Sequence, residues 1–130
     1  MAISDLQILL ATMQPVLHAG PYGYACLDPA QRMPVGVMPF ATVAEAEGLT
    51  VVALEADLLA ASVEFQGGWA RISLPVHSDL AAVGLTAAIA GTLGQAGISA
   101  NVVAGYHHDH FFVQSGRAAE AMAVLLALAR

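Results

Sequence analysis

From Leu80 to Tyr106 the chain carries no Asp, Glu, Lys or Arg, and a run that long without charge has few folded destinations. Its length suffices for one membrane-spanning helix. It is cut, however, by Gly84, Gly91, Gly94 and Gly97, it holds Gln95, Ser99 and Asn101, and it has no flanking Lys or Arg to anchor or orient a span. We read it as a buried helix followed by a strand, with no membrane partner. The same scarcity of charge runs through the whole chain, in which 58% of 130 residues are hydrophobic and 11% charged. That composition drives a packed core and is the opposite of one that keeps a chain disordered. The length fits one ordinary domain or two very small ones. A net charge of −6, with four arginines and no lysine, leaves no basic stripe for phosphates, which argues against nucleic acid and against anionic lipid surfaces. So little polar surface cannot cover a monomer, and a homodimer is expected. Cys26 alone closes no internal disulfide, and the N-terminus lacks the basic start and apolar run of a signal peptide, so a cytoplasmic location is expected.

Along the first half, Ser4 and Gln7 have the spacing of a capping box, with Ile3 placed to staple onto Ile8, and Pro15 ends that helix near Gln14. Tyr22 to Leu27 reads as a short strand followed by an Asp28-Pro29 turn. Residues 30 to 39, with Pro34, Gly36 and Pro39, read as irregular. Strands are expected at 40–43 and 49–54, a short helix at 55–61, and a boundary at Gln66-Gly67-Gly68. In the second half, Trp69 to His77 alternates, with Ala70, Ile72, Leu74 and Val76 on one face and Arg71, Ser73 and His77 on the other. Ser78 and Asp79 can cap a helix whose Ala82, Thr86, Ile89, Leu93 and Ala96 recur at helical spacing, and Gly97 suits its left-handed end. Small residues Ala90, Gly91 and Gly94 would let that helix lie close to a sheet. Strands at 98–104 and 110–114 form a hairpin, and a helix over 115–129 carries Ala118, Met122, Leu125 and Ala129 on its buried stripe. The order β-α-β-β-α is a ferredoxin-like unit lacking its last strand, which must come from the first half or from a neighbouring copy.

Val83-Gly84-Leu85-Thr86-Ala87-Ala88, then Leu93 with Ala96-Gly97-Ile98, then Asn101 to His110 resemble small bacterial ACT domain proteins of undefined activity. Glu45-Ala46-Glu47-Gly48-Leu49-Thr50 resembles the divergent ACT-like half that precedes such a domain. The resemblance implies an α+β fold of two fused ferredoxin-like halves, residues 1–66 and 67–130, with antiparallel sheets and helices on one face. It is distantly similar to the tandem ACT units of CASTOR-type arginine sensors. It implies a regulatory module that binds a small molecule, most often an amino acid, without a cofactor.

By that resemblance the ligand sits at the loop from His77, Ser78 and Asp79 to Gly84, with Asn101 and Val102 facing it from the adjacent strand. Independent of family, free amides at a helix start attract a carboxylate, and Asp79 can neutralise an ammonium. The plainer reading is that Ser78 and Asp79 only cap the helix and Gly84 serves close packing. His107, His108, Asp109 and His110, with His77, offer enough imidazole and carboxylate for a metal, and a small metalloenzyme is the competing class. Against it, successive residues of a strand point to opposite faces, so at most His108 and His110 lie together. Hydrogen bonding within the hairpin or across a subunit interface is the simpler use of these histidines. A third reading is an interaction adaptor whose pocket is vestigial. Ser78, His77 and Asp79 are too close in sequence for a triad, and no nucleophile elbow, P-loop or dinucleotide fingerprint is present. Cys26 is expected to be a packing residue. Arg71, on the polar face of its strand, could hold a ligand carboxylate or an ion pair.

Overall fold

A computed structural model describes residues 5–75 and 84–129. In chain order the elements are α1 (Leu6–Thr12), β1 (Val16–Leu17), β2 (Tyr22–Leu27), β3 (Ala41–Glu45), β4 (Gly48–Leu54), α2 (Glu55–Ala60), β5 (Gln66–Leu74), α3 (Leu85–Gln95), β6 (Asn101–Ala104), β7 (Asp109–Gln114) and, after a 3-10 turn, α4 (Ala118–Leu128). Contacts divide the chain into two compact units, Met1–Ala19 with Ala70–Arg130, and Gly20–Trp69.

In the unit Gly20–Trp69, β3 and β4 form a hairpin with Glu45 opposite Gly48, and β2 lies antiparallel to β4 with Tyr22 opposite Leu54 and Leu27 opposite Leu49. Gly48 is glycine for a physical reason: a Cβ there would run into the Leu27 carbonyl oxygen. Ala25, Leu27, Val51 and Ala53 point to one side of this sheet and bury Leu58 of α2 and Val37 of the irregular segment against them. Tyr24 and Cys26 alternate to the other side. Cys26 is exposed there, which corrects the expectation that it packs in a core.

In the other unit, β6 and β7 form the expected hairpin, with Asn101 opposite Phe112 and Ala104 opposite Asp109. β1 lies antiparallel to β5, Val16 opposite Ser73 and Leu17 opposite Ile72, so the first half of the chain supplies the strand that the β-α-β-β-α order lacks. The alternation predicted for β5 holds: Ala70, Ile72 and Leu74 are buried with Phe111 and Val113 of β7 beneath α1, α3 and α4. The strand starts earlier than predicted, at Gln66, and ends at Leu74 before Pro75, which cannot donate to a ladder. Val76 and His77 lie outside the described residues.

The helix ends show where sequence signals held and where they slipped. α1 is capped by Asp5, whose carboxylate accepts from Ile8 N–H at 3.2 Å, one residue beyond the expected Ser4; Ile3 and Ser4 lie outside the described residues. α3 begins at Leu85 behind Gly84, whose φ of 108° is left-handed; the expected caps Ser78 and Asp79 and the expected stripe residue Ala82 lie outside the described residues. Its buried stripe is Leu85, Ile89 and Leu93, spaced by four, and Thr86 is exposed. Its end is as predicted. Gly97, at φ 77°, donates to Gly94 C=O at 3.0 Å, and Ile98 N–H reaches Leu93 C=O at 2.9 Å, the paired bonds of a Schellman motif. Gly91 and Gly94 are exposed with nothing within 4 Å of an added Cβ, so they do not mediate close packing as expected. On α4, Ala118, Ala121 and Leu125 are buried, with Met122 and Ala129 partly so.

These glycines make opposite predictions. Gly91→Ala and Gly94→Ala remove backbone freedom from the unfolded chain at no steric cost, and each should stabilise by about 0.5–1 kcal/mol. Gly97→Ala forces a left-handed alanine and should cost about 1–2 kcal/mol. Urea-unfolding midpoints of the three variants check this, and a destabilised Gly91→Ala would contradict the exposed placement.

Candidate functional site

In the unit Met1–Ala19 with Ala70–Arg130, a chain of polar side chains lies on the face of β5 opposite Ile72 and Leu74. After Leu17 one more backbone bond, His18 N–H to Arg71 C=O at 3.0 Å, carries the ladder to His18. Opposed residues share a face, so His18 emerges beside Arg71 and Ser73. His18 Nε2 lies 2.7 Å from Ser73 Oγ, and Ser73 Oγ lies 2.7 Å from His110 Nδ1 on β7. Ser73 is 7% exposed, and a buried hydroxyl needs such partners. The two rings are thereby held by one oxygen.

Burial and neighbouring positive charge disfavour the protonated form of both rings. Burial, then the charge of Arg71, then those of His18 and His108, push His110 down to about 4. Burial and Arg71 lower His18 in the same direction. Asp109, next in sequence, is raised by burial, an effect that His108 opposes. His107 stacks edge-on to Tyr106 at 4.9 Å between ring centroids, in the turn before β7. Among the described residues, no group of three or more His, Cys, Asp or Glu is gathered as a metal site. Of the three histidines considered for metal, His110 is turned to Ser73 instead.

Of the expected ligand contacts, Ser78 and Asp79 lie outside the described residues, as does His77. Gly84 caps α3 and is covered by Leu6, whose Cδ2 would lie 3.3 Å from an added Cβ. Asn101 and Val102 are successive residues of β6 and point to opposite sides, Asn101 with Phe112 and Val102 with Phe111. The structure therefore separates that pair. In the unit Gly20–Trp69, an open groove of about 470 Å³ is lined by Tyr24, Cys26, Thr50, Glu64, Phe65 and Gln66. Thr50 Oγ1 donates to Glu45 at its rim, Tyr24 meets Trp69 edge-on at 5.8 Å, and burial raises the Tyr24 hydroxyl. Sequence reasoning missed this groove. Its only signal was the shared face of Tyr24 and Cys26.

Residues 1–67 match one ACT domain family and residues 64–127 another. The chain belongs to the ACT domain family. ACT domains are small-molecule regulatory modules, and here two stand in tandem, each of ferredoxin-like α+β type. A Vibrio cholerae protein of unknown function, described as a possible transport protein, is 43% identical over 96% of both chains with a TM-score of 0.85. A protein from Agrobacterium tumefaciens is 19% identical, covering 90% of this chain and 89% of that one, with a TM-score of 0.77. The ligand-free regulatory subunit of aspartate kinase from Thermus thermophilus is 9% identical, covering 93% of this chain and 99% of that one, with a TM-score of 0.62. The last two share the fold. No curated protein matches. Among the described residues, no helix is long and apolar enough to cross a membrane.

The low value for His110 sets a sign for stability against pH. In the unfolded chain a histidine takes its proton near pH 6.5, whereas native His110 refuses it until about 4. Its contribution is therefore whole above pH 6.5 and is lost as pH falls through that window. His110→Asn, which offers Ser73 an amide in place of the ring nitrogen, should make the acid-side loss shallower by up to one proton. Urea midpoints of both proteins between pH 7 and 4 test this, and parallel curves would contradict it.

Proposed function

We propose that this protein is a non-catalytic sensor whose ACT domains bind an amino acid and pass its presence to a partner through the dimer they form. The observation that carries this reading is the family match, which runs through both halves and overlaps at residues 64–67. The likeness in fold to the regulatory subunit of an aspartate kinase supports it. The proposed seat is the turn leading into α3: Asp79 takes the ammonium, the first amides of the helix take the carboxylate, and Ser78, Gly84 and Val102, which shares the Phe111 side of β6, complete the surround, with Asn101 turned to the other side. α3 suits this because Gly84 provides no side-chain bond to its opening amides.

A second seat is the groove of the other unit. Its volume lies in the range of small-ligand sites, Glu64 could meet an ammonium, and Tyr24 and Phe65 supply apolar walls.

A thermal-shift panel of the twenty amino acids decides the class. An amino acid at about a hundred times its Kd adds near 2.7 kcal/mol, several degrees for a domain this size. Asp79→Ala should abolish the shift while leaving the unliganded protein folded. Trp69, the only tryptophan, reports the second seat through its contact with Tyr24. A change in its emission that survives Asp79→Ala moves the ligand to the groove, and no response to any amino acid overturns the reading.

A further inference from the structure

The groove in the unit Gly20–Trp69 opens where two strands separate. β2 pairs with β4 along its whole length, from Tyr22 to Leu27, whereas its pairing with β5 stops at Tyr24 opposite Gln66, after a shift in register. β5 starts at that glutamine, so Glu64 and Phe65 lie outside the sheet while Ala25 and Cys26 continue in it. The space left between them is the open groove of about 470 Å³, lined also by Thr50, opposite Cys26 on β4. Taking this groove as a ligand seat, as in the second reading above, we infer that it accepts an organic ammonium ion with an apolar body and selects against a carboxylate on the same molecule.

Charge points to a cation. Six of the ten acidic side chains, Asp28, Glu45, Glu47, Glu55, Asp57 and Glu64, belong to this unit, against one of the four arginines, Arg32. A field of that sign draws cations to the surface and repels anions. The carboxylates within it are not equivalent. Glu45 accepts from Thr50 Oγ1, and Glu55 accepts from Gly68 N–H. The Glu64 carboxylate, on the groove wall, has no hydrogen-bond or ion-pair partner among the described residues. It is the charge left for a ligand to meet.

The walls select the rest of the molecule. Tyr24 and Phe65 set aromatic rings along the groove beside Ala25. Such rings attract a cation at their faces and take up the hydrocarbon attached to it. A carboxylate finds no arginine or lysine among the lining residues, whose one side-chain nitrogen donor is the neutral amide of Gln66. The Thr50 hydroxyl has already given its proton to Glu45. An amino acid that enters by its ammonium therefore leaves its carboxylate to solvent, in the field of Glu64 and Glu45, and binds less tightly than the amine that lacks it.

Three probes of similar shape test this by calorimetric titration into the full chain at pH 7. Phenethylamine carries the ammonium alone, phenylalanine adds the carboxylate, and 3-phenylpropionate carries the carboxylate alone. Glu64→Gln, at an exposed side chain, removes the charge and keeps the shape, so binding that it weakens is binding in the groove. Phenethylamine is expected to bind there about tenfold more tightly than phenylalanine, the effect of a carboxylate left without a partner. 3-Phenylpropionate should not bind there. Glu64→Gln should weaken phenethylamine about fivefold, the scale of an exposed ion pair. No binding of phenethylamine, phenethylamine titrating alike in Glu64→Gln and the parent, or Glu64-dependent binding of either carboxylate as tight as that of the amine overturns the proposal. Failure of the amino-acid reading shows differently, as silence toward all twenty amino acids.

Discussion

A pleated strand must send neighbouring side chains to opposite sides, and the rest of the unit that contains Ala70 to Leu74 depends on how that short stretch obeys the rule. Ala70, Ile72 and Leu74 go one way, into a core with Phe111, Val113, Leu85, Ile89, Leu93 and Leu125. Arg71 and Ser73 have no choice but to go the other. One face thus becomes the apolar ground on which α1, α3 and α4 pack. The opposite face becomes a place where a guanidinium and a buried hydroxyl must find partners. Burying an unpartnered polar group costs free energy comparable to a lost hydrogen bond, so the two imidazoles that meet Ser73 are as much a structural requirement as a chemical opportunity.

The register of β1 makes that solution possible. Two residues of strand, Val16 and Leu17, suffice to place His18 beside Arg71. On the far side of β5, His110 arrives from a strand that also buries Phe111, Phe112 and Val113 completely. Apolar residues of β7 fix where its polar residue stands. The same logic operates in the unit Gly20–Trp69, where burying Ala25 and Leu27 turns Tyr24 and Cys26 toward the groove.

Much of this was legible in the sequence, because alternation and end signals are local. The two faces of β5, the left-handed Gly97, the strand at Tyr22 to Leu27 and the tandem family pattern all lie in short stretches. Slips came where neighbouring residues compete for one role, as Asp5 and Ser4 do for the cap of α1. Gly84 took the cap of α3 because a glycine tolerates the left-handed turn there. Gly91 and Gly94 were misread because small residues suit both a close contact and an open surface. The bridge from His18 through Ser73 to His110 was not legible. Its members are 55 and 37 residues apart, and only strand pairing brings them together. The groove was missed for a related reason, since only strand pairing brings Thr50 to Cys26 and Gln66 to Tyr24.

The central claim is that two ACT domains here hold a specific small molecule. Native mass spectrometry of the protein equilibrated with an equimolar mixture of the twenty amino acids tests it most directly. The account predicts one dominant adduct, of a single amino-acid mass, at a whole-number ratio to the chain. A spectrum of bare protein, or adducts spread across the mixture in proportion to concentration, would contradict it.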